Sequence, residues 1–287
     1  MSEDLPPVVF GIDDRYVGPL CVVLHSLAGV HPPPDAPAVV VLHRGLDRDS
    51  CERLRFHADL LGLRVELRQV GDDDASLPLS QWATDAVYLR LSIPHVLDDF
   101  PEVLYLDADL LVVDDLRPLL RTPLDSAPLA AVRDALSPTL EFGIGLPGWR
   151  ELGLPGSKEY LNSGVLLLRP AACRPLFADC RRFLLERPEH VKYWDQDGIN
   201  AVIGDDGWQR LDGRWNTFAV SSWAGQPSFE YHGESLVPLA ALVDHERSAA
   251  ILHYSGRIKP WYASYPSGPN RDRYRAMMRR ATERERG

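Results

Sequence analysis

Short apolar runs alternate with helix-length segments through the first 113 residues, and this alternation constrains the fold more than any other feature. VVFGI at 8–12, ending in Asp13-Asp14, reads as a first strand, and AVVVLH at 38–43 as a second. LRVELRQV at 63–70 alternates apolar with polar residues, and EVLYLDAD at 102–109 runs into LLVV at 110–113. Between them, 16–30, 49–62 and 82–99 have helical spacing, the second stopped by Gly62 and the third interrupted by Pro94; Asp72 to Leu79 reads as a loop. Strands separated by helices of roughly ten to fifteen residues build βαβ units and a largely parallel sheet, so the expected class is α/β.

The second half is less regular. LAAV at 129–132, SGVLLL at 163–168 and AAILHY at 249–254 read as strands, with a helix at 171–186 and a short one at 195–203. Residues 135–158 read as a long Pro- and Gly-bearing loop. Residues 213–247 are loop-rich and carry Trp215, Phe218, Trp223, Phe229 and Tyr231, which suit either stacking on a bound ligand or plugging a small core. Loops this long are often functional. With no internal repeat and no linker, one α/β domain with an irregular C-terminal half is expected.

Charge narrows the partners. The 31 Lys+Arg against 41 Asp+Glu leave a net charge of −10, which argues against a basic nucleic-acid surface. One pocket can still be basic, so a phosphorylated small ligand stays open. No run approaches the roughly 20 apolar residues of a membrane span. The acidic start, MSEDLPPVVFGIDD, lacks the basic segment of a signal peptide. The four cysteines, Cys21, Cys51, Cys173 and Cys180, form no CxxC pair and read as buried thiols of a cytoplasmic protein, with Cys173 and Cys180 on one helix face.

The strongest chemical signal is YLDADLLVVDDL. In extended chain, Asp107 and Asp109 face one way and Ala108 the other. Ligands of α/β sheets bind at the strands' C-terminal edge. Two carboxylates there repel unless a cation lies between them, and Mg²⁺ or Mn²⁺ suits oxygen donors. Asp114-Asp115 reads as a helix N-cap before LRPLL, and one of Asp195 and Asp197 as the N-cap of the helix that begins there.

Four further segments accompany that pair: TDAVYLRLSIPHVL at 84–97, EYLNSGVLLLRP at 159–170, YWDQDGIN at 193–200 and HYSGRIKPW at 253–261. Together with VVFGIDDRY, and in this order, they resemble the retaining glycosyltransferases of family 8, which include bacterial lipooligosaccharide galactosyltransferases and glycogenin. The resemblance covers about residues 8–262. It implies the GT-A fold, a Rossmann-like nucleotide-binding sheet with an irregular C-terminal acceptor region. The corresponding division is one catalytic domain over 1–262, with about 8–134 as the nucleotide-sugar half, about 135–262 as the acceptor half, and 263–287 as a basic tail.

The resemblance also implies a UDP-hexose donor, Mn²⁺ or Mg²⁺, and roles for particular residues. Asp13 corresponds to the uracil contact, with Gly11 and Ile12 beside the base. Arg15 stands where members usually carry a small polar residue, so its role is open. Arg90 corresponds to an arginine near the donor phosphates and sugar. Asp107 and Asp109, with Ala108 between them, and His253 correspond to the metal and donor site. Gly256 and Lys259 correspond to the diphosphate-holding residues. Asp134, Asn162, Asp195 and Gln196 correspond to the surroundings of the transferred hexose, with Gln196 nearest the anomeric carbon. Since an amide is a poor nucleophile, same-face attack is expected rather than a covalent intermediate.

The acceptor is open: a saccharide, a lipid-linked glycan, a small molecule or a protein. The tail at 270–287 carries seven arginines and an apolar stripe of Tyr274, Met277, Met278 and Ala281, which would suit peripheral contact with the inner membrane face. Two alternatives are weighed. A nucleotidyltransferase would need a Gly-rich phosphate loop, and neither GxGxxG nor GxxxxGK is present. A non-catalytic nucleotide-sugar-binding protein would keep the motifs without turnover.

Overall fold

The expected alternation forms. In the computed structural model, which describes residues 5–71, 76–79 and 84–286, strand β1 (Val8–Gly11) leads to helix α1 (Val17–Val30), β2 (Val39–His43), α2 (Arg48–Leu61) and β3 (Val65–Gln69). Helix α2 starts where the Asp47 carboxylate accepts the Ser50 N–H at 2.6 Å, and ends at Gly62 with φ 66°. Of the segment expected as a helix at 82–99, residues 82 and 83 lie outside the described residues. The rest departs from expectation: Asp85–Ser92 winds as 3-10 helix and only Ile93–Val96 (α3) is α-helical. Of the expected loop at 72–79, residues 72–75 are likewise outside.

Strands β4 (Val103–Leu106) and β5 (Leu110–Val112) follow, then α4 (Arg117–Leu120), β6 (Leu129–Arg133) and β7 (Leu161–Leu168). The chain continues through α5 (Pro170–Glu186), α6 (Trp194–Val202), β8 (Gln209–Arg210), β9 (Thr217–Phe218), α7 (Leu239–His245), β10 (Ile251–His253) and α8 (Pro269–Arg286). Residues 135–158 contain no strand or helix of these series, as expected.

The strands form a seven-stranded sheet ordered β3-β2-β1-β4-β7-β6-β8 and a three-stranded sheet ordered β5-β10-β9. The first four strands of the large sheet are mutually parallel, but β7 runs antiparallel to both β4 and β6. The sheet is therefore largely parallel, as expected, with β7 as its one reversed strand; β8 pairs parallel with β6. The small sheet was not anticipated: the segments of β5 and β10 were read as apolar runs, but the two-residue β9 is too short to be read from pattern and the pairing of β5 with β10 was not foreseen.

Alternate residues of β1 and β4 serve two cores. Val8, Phe10, Leu104 and Leu106 pack beneath α1 with Leu20 and Leu24. Val9, Val103 and Tyr105 pack on the other face with Phe177 and Leu184 of α5. Cys173 and Cys180 lie buried in that second core as free thiols, sharing one side of α5. Burial on both faces explains why these strands read as unbroken apolar runs.

Three local expectations need correction. Leu116, not an aspartate, holds the cap position of α4; Asp115 instead accepts the Arg117 N–H at 2.8 Å. Tyr193 precedes α6 as its cap residue, and Asp195 and Asp197 both lie inside the first turn. The tail is not free: α8 packs on α1, with Tyr274 and Ala281 buried and Met277 and Met278 packed beside Leu252, Tyr254 and Tyr265. Its apolar stripe is thus taken up by the protein's own core. Of the aromatics at 213–247, Trp215 and Phe218 are buried and Trp223 stacks edge-on against Tyr265, while Phe229 and Tyr231 are half-buried. Among the described residues, no helix is long and apolar enough to cross a membrane.

Candidate active site

The two sheets meet where β4 passes into β5, and the residues of that passage are Asp107, Ala108 and Asp109. Strand β10 pairs antiparallel with β5, with His253 opposite Leu110. This register brings the His253 ring to the carboxylates: Nε2 is 3.2 Å from Asp109 Oδ1 and 3.8 Å from Asp107 Oδ2. One ligand atom from each of the three lies within 4.8 Å of the others. Asp109 Oδ1 is buried and has no hydrogen-bond partner among the described atoms. Two carboxylates, an imidazole and an orphaned buried oxygen fit a divalent cation in chemistry and in spacing. Gly164 of β7 makes the room: a Cβ there would lie 2.4 Å from His253 Cε1 and 2.7 Å from Asp107 Oδ2.

Cations of the protein hold each carboxylate. Arg90 is buried and pairs through Nη2 with Asp107 at 2.8 Å and through Nε with Asp195 at 3.0 Å, while Nη1 donates to the Ser163 carbonyl. Burial opposes its charge, but Asp107 and Asp195 outweigh that and hold the guanidinium more firmly protonated than usual. It is not the exposed arginine of an amphipathic helix. Burial pushes the Asp195 carboxyl up to about 6, partly offset by Arg90. Lys259 donates to Asp109 Oδ2 and, at 3.1 Å, to the Tyr254 carbonyl. Burial would raise Asp109, yet Lys259 and His253 drive its carboxyl well below the usual range.

A buried polar chain joins the cluster to the sugar-side residues. Asp134 Oδ1 accepts the N–H groups of Leu136 and Ser137 at 2.9 and 2.8 Å, and Oδ2 accepts from Asn162 Nδ2 at 2.9 Å and Gln196 Nε2 at 3.2 Å. Gln196 Oε1 accepts from Asn162 Nδ2 at 2.9 Å and from the Ser163 N–H at 3.0 Å. Asn162 Oδ1 accepts from Asn216 Nδ2 at 2.7 Å, and Asn216 Oδ1 lies 2.8 Å from His253 Nδ1.

The polarity of this chain is fixed at one end by a carboxylate, which only accepts. Each amide must then present its NH₂ toward Asp134 or Asn162 and its oxygen away. At the far end, an amide oxygen requires a proton on His253 Nδ1. Nε2 is thereby the ring nitrogen turned toward Asp107 and Asp109, where a metal would meet it.

The remaining candidates sit around this core. Asp13 pairs with Arg15 at 3.1 Å, and Asp13 Oδ1 is buried with no hydrogen-bond partner among the described residues. Arg15 itself is largely exposed. Gly11 ends β1 beneath Leu89. The Ile12 and Ala108 side chains are buried in the core, which leaves their backbones to face a ligand. Gly256 has φ 103° with open space around it, a conformation that a side chain strains.

Asn216, Gly164 and Tyr16 were not singled out from sequence. Tyr16 stacks edge-on against Trp261, and its hydroxyl is raised by burial and then by Asp109 and Asp107. Only Gly164, a glycine inside an apolar strand, carried a usable signal. A cavity of about 380 Å³ opens beside Asp134 and Asn216, lined also by Arg133, Glu159, Arg210 and Phe218. None of the three cation-cluster residues lines it.

Residues 7–264 match the pattern of the family described as glycosyl transferase family 8. General stress protein A of Bacillus subtilis is 26% identical, over 95% of this chain and 93% of that protein. The lipopolysaccharide 1,2-glucosyltransferase of Escherichia coli is 29% identical over 71% of this chain, which spans 58% of that relative's length. A crystal structure of the galactosyltransferase LgtC with donor and acceptor sugar analogues superposes with a TM-score of 0.76 at 25% identity, over 96% of this chain and 95% of that one.

Proposed function

The chain belongs to glycosyl transferase family 8 and has its α/β GT-A fold, and from that premise we propose that it transfers a hexose, glucose or galactose, from a UDP-sugar to an acceptor hydroxyl with retention of configuration. The carrying observation is the polar chain from Asp134 to His253, which turns the imidazole Nε2 toward two carboxylates. Asp107, Asp109 and His253 would hold Mn²⁺ or Mg²⁺. A cation bound there would offset the negative charge that builds on the departing diphosphate.

The chain's own residues divide the remaining work. Lys259 supplies a compact positive charge beside Asp109, and the open backbone at Gly256 admits the diphosphate. Asp13, with the backbones of Gly11 and Ile12, takes the nucleoside, and Arg15 screens Asp13. Arg90 acts by fixing Asp107 and Asp195 relative to one another. Asp134, Asn162 and Gln196 offer a pre-oriented polar wall to the hexose. Every polar atom of the Gln196 amide is engaged by protein, so it is positioned to orient the sugar and stabilise charge rather than to attack. Retention then follows from attack on the face the diphosphate leaves, with its departing oxygen taking the acceptor proton.

The test is UDP release from a panel of UDP-sugars with Mn²⁺, followed by proton NMR of the product's anomeric signal. Release from UDP-glucose or UDP-galactose and an α-linked product are expected. No release from any donor, or a β-linked product from an α-linked donor, would overturn the reading. Peripheral membrane contact would rest on arginines such as Arg273, Arg279, Arg280 and Arg284, exposed on α8 among the described residues, because its apolar stripe is buried.

A further inference from the structure

Apart from the cation cluster, a second set of ligand-type side chains converges from three helices. Cys21 and His25 lie one turn apart on α1, His57 is on α2, and Glu285 is near the end of α8. One ligand atom from each of Cys21, His57 and Glu285 lies within 4.8 Å of the others. His57 Nε2 is 2.7 Å from Glu285 Oε1, and His57 Nδ1 is 3.0 Å from His25 Nε2. Cys21 and His57 are fully buried.

We propose that Cys21, His57 and Glu285 form a zinc-type metal site that clamps α8 onto α1 and α2. The donor set is one sulfur, one imidazole nitrogen and one carboxylate oxygen, which suits Zn²⁺ far better than Mg²⁺ or Ca²⁺. Ligand atoms around a tetrahedral zinc sit roughly 3.3–3.8 Å apart, so the present spacing needs only small side-chain shifts. Charge balances: one thiolate and one carboxylate neutralise a dication, and the imidazole enters neutral. Binding breaks the S–H bond of Cys21 and releases that proton to solvent, with no change of oxidation state.

The neighbouring groups fit that arrangement. With Nε2 on the metal, His57 Nδ1–H donates to His25 Nε2, the kind of outer partner that orients a metal-bound imidazole. Arg53 donates to Glu285 Oε1 at 2.6 Å and can hold the carboxylate in place. Arg53 and Arg284 are the protein cations that face the group. Burial pushes the Cys21 thiol up to about 12, so in the metal-free protein it is protonated and unreactive. A coordinating metal removes that proton outright.

The experiment titrates the full chain with Co²⁺ and records the near-ultraviolet sulfur-to-cobalt charge-transfer band. The Asp107–Asp109–His253 cluster has no sulfur and cannot give this band, so the readout is independent of glycosyl transfer. One equivalent of Co²⁺ is expected to develop the band and Zn²⁺ to bleach it. Cys21→Ala should abolish it, while Glu285→Gln should raise the Co²⁺ needed by about 10-fold or more. In the wild type, Zn²⁺ at about 100-fold excess over its Kd should raise the melting temperature by about 5 °C. Absence of the band in the folded wild type, or its persistence in Cys21→Ala, would overturn the proposal. The first outcome needs no variant, so a misfolded mutant cannot mask it.

Discussion

His253 Nδ1 lies 2.8 Å from the amide oxygen of Asn216. Because that oxygen can only accept, the contact sets the imidazole's tautomer, and the amide's other end is already committed to Asn162. Asn216 therefore links the cation cluster to the sugar-side wall. Asn216→Ala is expected to weaken the divalent cation about 10- to 100-fold, as loss of a ligand's outer partner does elsewhere. Mn²⁺ titration of UDP release measures this. An unchanged Mn²⁺ requirement would mean that the contact does not orient His253 for a metal.

Gly164 carries a second prediction. A methyl group there meets His253 Cε1 and Asp107 Oδ2 at 2.4 and 2.7 Å, so Gly164→Ala must push two cation-cluster side chains apart. Overpacking of this kind costs about 1–3 kcal/mol. A modest fall in melting temperature is expected beside a larger, at least ten-fold, rise in the Mn²⁺ required. If stability and cation requirement both matched the wild type, the crowding would have been absorbed elsewhere.

These two residues show where sequence reading stops. Asp107 and Asp109 were legible because they follow an apolar strand at i, i+2 spacing, which turns both one way, and His253 was legible through the resemblance of its segment. Asn216 lies in a segment with no period, and its meaning comes only from β9 lying beside β10 across 37 positions of sequence. The order β1 to β4 was legible through its intervening helices. The antiparallel turn to β7 and β6 was not, because strands buried on both faces lose the alternation that would report their neighbours. The stripe on α8 was legible as a stripe, but its partner was not, since amphipathic spacing does not say what covers it.

Arg90 is the residue whose removal should cost the fold most. It is buried between Asp107 and Asp195, and its removal leaves Asp195 as a buried carboxylate without its cation. Breaking a buried pair in this way costs about 3–5 kcal/mol. Arg90→Leu should therefore shift the urea midpoint markedly downward, whereas Arg90→Lys, which keeps a charge but not the fork, should fall between. Equal stability of the leucine variant and the wild type would show that the two acids find other partners.

The same pair makes opposite predictions for stability and activity against pH. The Asp195 carboxyl is held near 6 in the fold, above its ordinary 3.8, because burial outweighs Arg90. The folded state thus binds this proton more tightly than the unfolded chain. Its contribution, roughly 3 kcal/mol for a shift of this size, is complete below about pH 4 and is lost as pH rises through about 6. Transfer needs the ionised form that holds Arg90, so activity should rise over the same interval in which this stability is lost. Urea unfolding of the wild type and Asp195→Asn at several pH values between about 4 and 7 separates this group from the rest. The difference in stability between the two should change with pH in that window and stay flat above it. A difference that is flat throughout would mean that Asp195 ionises in the fold as it does in the open chain, and Arg90 would then be the dominant influence on it.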